Sequence, residues 1–156
     1  MIVLRDTVTI HAPAKVVWDW LERLPEHSRE WHRDHISSRW LSGGIFVPGA
    51  EMEVVERLHG KPHRLRIRLM AVESGHWVRY RIFPGLEGSL EVKPAGSGTL
   101  FTATIQMGIR APVLGAMIDA LLRRTIPTRI ASIRQHQAEE GANLKALLER
   151  SVNGAG

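Results

Sequence analysis

Cysteine is absent from the 156-residue chain, which excludes disulfides and thiolate metal ligands. Any metal site must therefore use histidine, carboxylate or backbone oxygen. The chain also lacks an apolar run near the roughly 20 residues of a membrane span. Its N-terminal stretch, MIVLRDTVTIHAP, carries Arg5 and Asp6 where a secretory signal would be apolar. We therefore expect a cytoplasmic protein with no membrane span and no signal peptide.

A clustered basic motif with interleaved aromatic residues is missing as well, although the net charge is +5. Several arginines alternate along one segment, at Arg64, Arg66 and Arg68, which is typical of the solvated face of a strand. We expect no nucleic-acid partner. Hydrophobic residues at 44% and charged residues at 24% fit an ordinary globular domain. The expected organisation is one domain over residues 1–150, followed by a frayed C-terminal tail over residues 151–156.

Alternation and turn residues predict one strand, two short helical segments, a run of strands and a long helical tail. The predicted strands are Ile2–Ile10, 36–42, Glu51–Leu58, 63–72, 76–83, 89–93 and 99–109. A helix over 14–24 is expected to end at Pro25. The polar segment 26–35 is expected to form a short helix or loop. The tail over 112–150 is expected to be helical, with a kink or break at Pro127. Short links between strands favour an antiparallel meander, and the sheet with a helix across it is an α+β architecture with room for a small-molecule cavity.

The last helix places two ionisable residues near its apolar face. At about 100° per residue, Glu140 falls inside the stripe of Ile133 and Leu144, His136 falls at its edge, and Glu139 points to solvent. A buried carboxylate needs a cation, a proton or a metal. The i, i+4 spacing of His136 and Glu140 suits two ligands of one ion, but it equally suits a simple hydrogen bond or a salt bridge to an arginine.

Two other segments supply further candidates. In strand Glu51–Leu58, alternation puts Glu56 on the same face as the apolar residues Met52 and Val54. The alternatives are a register bulge near the strand end, or a position at the mouth of the cavity where the carboxylate stays in water. The WHRDH segment, residues 31–35, holds His32 and His35 just before a predicted strand. These histidines are candidate metal ligands, and the alternative is that the segment is a polar turn on the surface.

Taken together, these segments supply two histidines and two inward carboxylates from three elements, a set that suits zinc, manganese or iron. Alternation also turns His63, His76 and Tyr80 inward. His63 competes for a ligand role. His76 and Tyr80 are candidates to bind a substrate or donate a proton, while the simpler interpretation of Tyr80 is a core ring.

The element order and the opening VTIHAPAKVVWDWL resemble the START-like helix-grip superfamily of polyketide cyclases and ligand carriers, also known as SRPBCC proteins. The resemblance covers nearly the whole chain. It implies a curved antiparallel β-sheet wrapped around a long C-terminal helix, with two short helices after the first strand, and a hydrophobic cavity.

Three segments resemble a narrower branch, the diacetylphloroglucinol and phloretin hydrolases. They are WHRDHISSRWL, EVVERLHGK and RQHQAEEGANLK. In that branch two histidines and two glutamates hold zinc, and the enzymes cleave a carbon–carbon bond between an acyl group and a phenolic ring. The resemblance implies His35, Glu56, His136 and Glu140 as the metal ligands, with His32 as an alternative to His35. His32, His76 and Tyr80 are candidate proton donors.

The hydrolases carry additional sequence ahead of this domain. We therefore expect the substrate pocket and the substrate of this chain to differ from theirs. The first hypothesis is thus a zinc-dependent hydrolase or lyase acting on a small aromatic or polyketide-like ligand. A non-catalytic carrier of an apolar molecule and a metal-free cyclase or dehydratase are the alternatives. A homodimer is left open.

Overall fold

The computed structural model describes residues 1–58, 60–109 and 111–154. Its elements are β1 Ile2–Ile10, α1 Ala14–Glu22, α2 Leu24–Trp31, β2 His35–Ser42, β3 Glu51–Leu58, β4 Lys61–Glu73, β5 Trp77–Phe83, β6 Leu86–Ala95, β7 Gly98–Met107, α3 Pro112–Thr125 and α4 Pro127–Asn153. Among the described residues, no helix is both long enough and apolar enough to span a membrane.

The seven strands form one curved antiparallel sheet in the order β1-β7-β6-β5-β4-β3-β2. Every neighbouring pair except β1–β7 is also consecutive in the chain, which is the predicted meander. The helices α1 and α2 carry the chain from β1 at one edge to β2 at the other. The α+β helix-grip prediction is confirmed, including the two short helices and the long C-terminal helix.

The long helix α4 packs closely on β1 because a glycine lies at their crossing. A Cβ atom at Gly141 would lie 2.6 Å from Asp6 Oδ2, closer than real Cβ contacts allow. Next to this crossing, Leu144 and Leu148 are buried in the main hydrophobic cluster with Phe101, Val17 and other residues of the sheet and α1. The apolar stripe of the last helix therefore faces the sheet as its periodicity predicts.

Proline positions explain two boundaries. Pro127 lies in the first turn of α4, where its missing N–H costs nothing, so it splits the tail into α3 and α4 as expected. The prediction that Pro25 ends the first helix is wrong. Helix α1 already ends at Glu22, and Pro25 occupies the first turn of α2, so the polar segment after it is helical up to Trp31.

Other boundaries shift by a few residues. Strand β5 begins at Trp77, one residue later than expected, while β4 and β6 are longer than expected. Helix α4 continues to Asn153, three residues beyond the predicted domain end. His59, Arg110, Ala155 and Gly156 lie outside the described residues, and the fraying of the tail stays a prediction.

Candidate functional site

A cavity of about 130 Å³ lies between α4 and the sheet. Its walls are mainly apolar and come from Phe46, Met52, Leu69, Val78, Leu90 and Ile105, among others. At one end the lining changes to His35, Glu56, His136, Gln137 and Glu140. An apolar pocket with a small group of converging polar side chains is the usual form of a small-molecule site.

The four predicted ligands lie together at this polar end. His35 Nε2 is 3.1 Å from Glu140 Oε1 and 3.7 Å from Glu56 Oε2. His136 Nε2 is 3.6 Å from Glu140 Oε1 and 3.8 Å from Glu56 Oε2. Donor atoms at the corners of a tetrahedral zinc site, with bonds of about 2.0–2.1 Å, are separated by about 3.4 Å. The four His–Glu distances are close to this separation, so the two histidines and two glutamates are candidate ligands of a divalent metal.

The histidine rings are oriented by their other contacts. His35 Nδ1 lies 2.9 Å from the Ser28 carbonyl oxygen, which can only accept, so Nδ1 carries a proton and Nε2 faces the carboxylates. This arrangement is the usual second contact of a metal-binding histidine. His136 Nε2 is buried without a hydrogen-bond partner in the described structure, since both carboxylates lie beyond hydrogen-bond distance.

The alternative ligand His32 is engaged elsewhere. Its Nδ1 accepts a hydrogen bond from the Asp34 N–H at 3.1 Å, and its Nε2 lies 2.9 Å from Glu139 Oε2. Its ring nitrogen still lies within 4.8 Å of those of His35 and His136, so three histidines surround the site. His35 is the better placed candidate ligand, because its Nε2 faces both Glu56 and Glu140, whereas the nitrogens of His32 contact Asp34 and Glu139.

The ionisable side chains of this cluster shift one another's pKa values. Burial alone would raise the pKa of Glu140, but the close approach and charge of His136 and His35 lower it to about 2. Burial and the Glu140 charge raise the pKa of Glu56 above its usual range. Burial lowers the pKa of His136, but Glu140 and Glu56 outweigh it and raise the pKa overall. The His136–Glu140 separation of 3.6 Å is too long for a hydrogen bond, so we treat this attraction as one of charge.

Two hydrogen bonds connect the end of α2 to α4, and this connection places His35 opposite Glu140. Trp31 Nε1 donates to the Glu140 carbonyl oxygen at 2.9 Å, and Asn143 Nδ2 donates to the Trp31 carbonyl oxygen at 2.9 Å. The Trp31 ring also meets the His35 ring edge to face. The two hydrogen bonds join residues more than 100 positions apart, and the sequence pattern gives no sign of them.

One buried polar residue of the cavity was missed although its position is visible in the sequence. Gln137 falls in the apolar stripe of α4, at about 340° on a helical wheel that places Ile130 at zero. It is 2% exposed, and its Nε2 donates to the Ala103 carbonyl oxygen at 2.7 Å. This bond fixes the orientation of the Gln137 side-chain amide. The side-chain oxygen, Oε1, therefore lies on the opposite side of the amide group, as a hydrogen-bond acceptor.

Three residues differ from their predicted positions: His76 does not line the cavity, His63 keeps the predicted face but is exposed, and Glu139 is partly covered. His76 is exposed in the turn before β5, because the strand begins one residue later than the alternation assumed, and it does not line the cavity. His63 lies opposite Glu56 in the β3–β4 register, but it is exposed near the strand end. Glu139 is half-buried against His32 rather than free in solvent.

Tyr80 does face the cavity, in a space left by a glycine on the neighbouring strand. Tyr80 and Gly88 are direct partners in the β5–β6 register, and a Cβ at Gly88 would lie 2.3 Å from a Tyr80 ring carbon. Burial raises the pKa of the Tyr80 hydroxyl well above its usual range, and the charges of Glu140 and Glu56 add to the shift. The hydroxyl therefore stays protonated near neutral pH and is available as a hydrogen-bond donor.

The titration of Tyr80 is directly measurable because it is the single tyrosine in the chain. A raised pKa in the folded state means that stability is complete below the unfolded value of about 10 and is lost as the pH rises above it. We expect tyrosinate absorbance in alkali to appear together with the loss of folded signal, and Tyr80→Phe to reduce the alkaline loss of stability. Tyrosinate formation near pH 10 in a protein that is still folded would contradict the burial of this hydroxyl.

Residues 1–149 match the family model described as polyketide cyclase / dehydrase and lipid transport. The chain belongs to this family. Comparison with the curated proteins gives no match.

Solved structures with this fold are similar along nearly their whole length. A protein from Thermus thermophilus gives a TM-score of 0.71 at 18% identity, with 99% of this chain and 100% of that chain covered. The Zhui aromatase/cyclase from a Streptomyces species, strain R1128, gives 0.69 at 16% identity, with 99% and 98% covered. A START superfamily protein from Mycobacterium smegmatis gives 0.59 at 14% identity, with 86% and 96% covered. At these identities the likeness shows the fold.

Proposed function

We propose that this polyketide cyclase-like protein binds a small aromatic or polyketide-like molecule in its cavity and cleaves it with the help of a divalent metal. His35, Glu56, His136 and Glu140 would hold the metal, and zinc is the ion that this donor set suits best. The observation that carries the proposal is the convergence of four donor atoms, 3.1–3.8 Å apart across the histidine–glutamate pairs, at the polar end of an apolar cavity.

The proposed reaction is hydrolysis of a carbon–carbon bond between an acyl group and a phenolic ring. The hydroxyl of water joins the acyl carbon to give a carboxylic acid, and the remaining hydrogen of water replaces the acyl group on the ring carbon. When bound, a divalent metal supplies a Lewis acid for a carbonyl oxygen and lowers the pKa of water. The other groups come from the chain itself. The protonated Tyr80 hydroxyl donates a hydrogen bond to a ligand oxygen, and the apolar walls limit the access of bulk water.

The size of the cavity favours a ligand with one ring. Its volume of about 130 Å³ is close to the roughly 150 Å³ that accommodates benzene in an engineered protein cavity. The Gln137 carbonyl oxygen and the Tyr80 hydroxyl supply one acceptor and one donor, which suits a ring that carries hydroxyl and carbonyl groups.

A metal-free cyclase or dehydratase is the second candidate, and membership of the family supports it more directly. Glu56 with a raised pKa beside ionised Glu140 is the kind of carboxyl pair that divides acid and base roles. A carrier without catalysis would use the same apolar walls.

Chelator treatment separates these candidates. Purified protein is incubated with single-ring acylphenols and with short polyketide-like β-diketones, before and after removal of metal by a chelator. The first candidate predicts turnover that is lost with the chelator and restored by zinc. Turnover that persists after chelation supports the metal-free candidate, and ligand binding without turnover under any condition supports the carrier.

A further inference from the structure

Helix α3 exposes a line of large apolar side chains. Val113, Leu114, Met117 and Leu121 are 74%, 55%, 66% and 59% exposed. At about 100° per residue they fall within an arc of about 100°, so they form one face, which we term the α3 stripe. Only two other large apolar residues in the described chain, Ile45 and Phe83, reach 54% exposure. Soluble proteins rarely expose large apolar side chains in a contiguous row without a binding partner.

The opposite side of α3 already holds the helix on the domain. Leu122 packs on the small cluster of Ile2, Leu4 and Met107. Asp119 forms an ion pair with the N-terminal amine of Met1. Gly115 is buried against the chain that enters the helix, where a Cβ would lie 2.4 Å from the Ile109 carbonyl oxygen. Because these contacts fix the inner side, the α3 stripe is the side that remains available to something outside the chain.

The charges around the α3 stripe are nearly all positive. From Ile109 to Arg134 the sequence holds five arginines and a single acid, Asp119, which is paired with the N-terminus. The four of these arginines in the described structure are all exposed and form no ion pair there: Arg123, Arg124, Arg129 and Arg134. Arg124 falls at about 20° on the α3 wheel that starts at Val113, so it continues the stripe at its C-terminal end.

Half of the eight arginines in the strands form ion pairs in the described structure. Arg39 and Arg64 pair with Glu53, and Arg66 pairs with Glu51. Arg81 pairs with Glu87. The positive charge of the sheet is thus partly neutralised, while that of the α3–α4 corner is not. The unpaired charge and the exposed apolar residues occur on the same part of the chain.

We propose that the α3 stripe docks on the surface of an anionic lipid bilayer. Its apolar side chains would enter the boundary between headgroups and acyl chains, and the arginines of the α3–α4 corner would meet lipid phosphates. A helix that lies in the interface uses this combination of an exposed apolar face, flanking cations and few acids. The proposal requires neither the metal nor catalysis, so it stands apart from the proposed function.

The same observations argue against two other partners. A second copy of the chain would bring two unpaired arginine groups towards each other with no acid between them. A nucleic acid would use the arginines but would leave the α3 stripe in water, because phosphates and groove edges offer little apolar surface to a row of four such side chains. An anionic lipid surface satisfies both features.

Flotation of the purified full chain with vesicles tests the proposal. We expect binding to vesicles of phosphatidylcholine mixed with phosphatidylglycerol, and much weaker binding to phosphatidylcholine alone or at high salt. The double variant Met117→Ser/Leu121→Ser should weaken binding at least about tenfold. Arg124→Gln should weaken it about fivefold. Since these side chains are exposed, the variants should keep the thermal midpoint of the wild type.

Matched controls carry the same changes elsewhere. Ile45→Ser removes a 57% exposed apolar side chain from the β2–β3 loop, and Arg79→Gln removes one exposed positive charge from β5 that is unpaired among the described residues. Both should bind as the wild type does, within about twofold. Absence of vesicle binding by the wild type, or equal binding by the double variant, overturns the proposal. So does sedimentation that shows a wild-type dimer which the double variant converts to monomer, since the stripe would then be a contact between copies.

Discussion

Replacing Glu140 by glutamine is expected to weaken binding of a divalent metal at least about 100-fold. Loss of a residue that merely orients a metal ligand costs about 10–100-fold, so loss of a ligand should cost no less. Glutamine keeps the size of the side chain but removes the charge that lies 3.1 Å from His35 Nε2 and 3.6 Å from His136 Nε2. Competition titration with a zinc-binding dye measures the effect, and the same preparation shows whether turnover is lost in parallel.

The neighbouring residue supplies the control for this substitution. Glu139→Gln makes the same chemical change one position earlier, on a side chain that contacts His32 rather than the four proposed ligands. Its zinc affinity should stay within about tenfold of the wild type. Equal losses in the two variants would contradict the assignment of Glu140, and would place the metal nearer to the three histidines and Glu139.

Replacing Leu144 by alanine is expected to lower the free energy of unfolding by about 3 kcal/mol. The side chain is completely buried at the centre of the main hydrophobic cluster, and Leu→Ala changes in such positions cost about 2–5 kcal/mol. With a slope of about 2 kcal/mol per molar urea, the midpoint should fall by about 1.5 M. The measurement is made in chelator, so that any metal contributes nothing.

Val152→Ala is the matched control on the same helix. Val152 is 40% exposed, and its truncation should change the free energy of unfolding by less than about 0.5 kcal/mol. A loss below about 1 kcal/mol in Leu144→Ala would show that α4 does not pack on the sheet as described.

Most of the fold is predictable from the sequence because the relevant signals are local. Alternation predicts both ends of β1 and of β3 correctly, and Pro127 predicts the break between the last two helices. The alternation of β3 also identifies Glu56 as an inward acid, because Met52 and Val54 on the same face are both buried.

The site is predictable in part, and the limits have physical reasons. Periodicity identifies Glu140 and His136, since a charged residue in an apolar stripe stands out. The choice between His32 and His35 depends on contacts with Ser28, Asp34 and Glu139, which are set by the path of the chain after α2.

The errors at His76 and His63 arise where strands meet solvent. Alternation gives the face of a residue but not its depth, and a shift of one residue at a strand end moves a side chain out of the cavity. The exposed stripe of α3 was missed for a related reason: an apolar residue on a helix indicates a buried face only if another element covers it.

The most direct test of the central claim is the metal content of the purified, untagged protein after exposure to zinc and removal of the free ion. The account predicts about one ion per chain in the wild type and in Glu139→Gln, and close to none in Glu140→Gln. Absence of bound metal in the wild type after exposure to zinc, manganese and ferrous iron would contradict it. His35, Glu56, His136 and Glu140 would then be a buried network of protons and charges in a metal-free ligand-binding cavity.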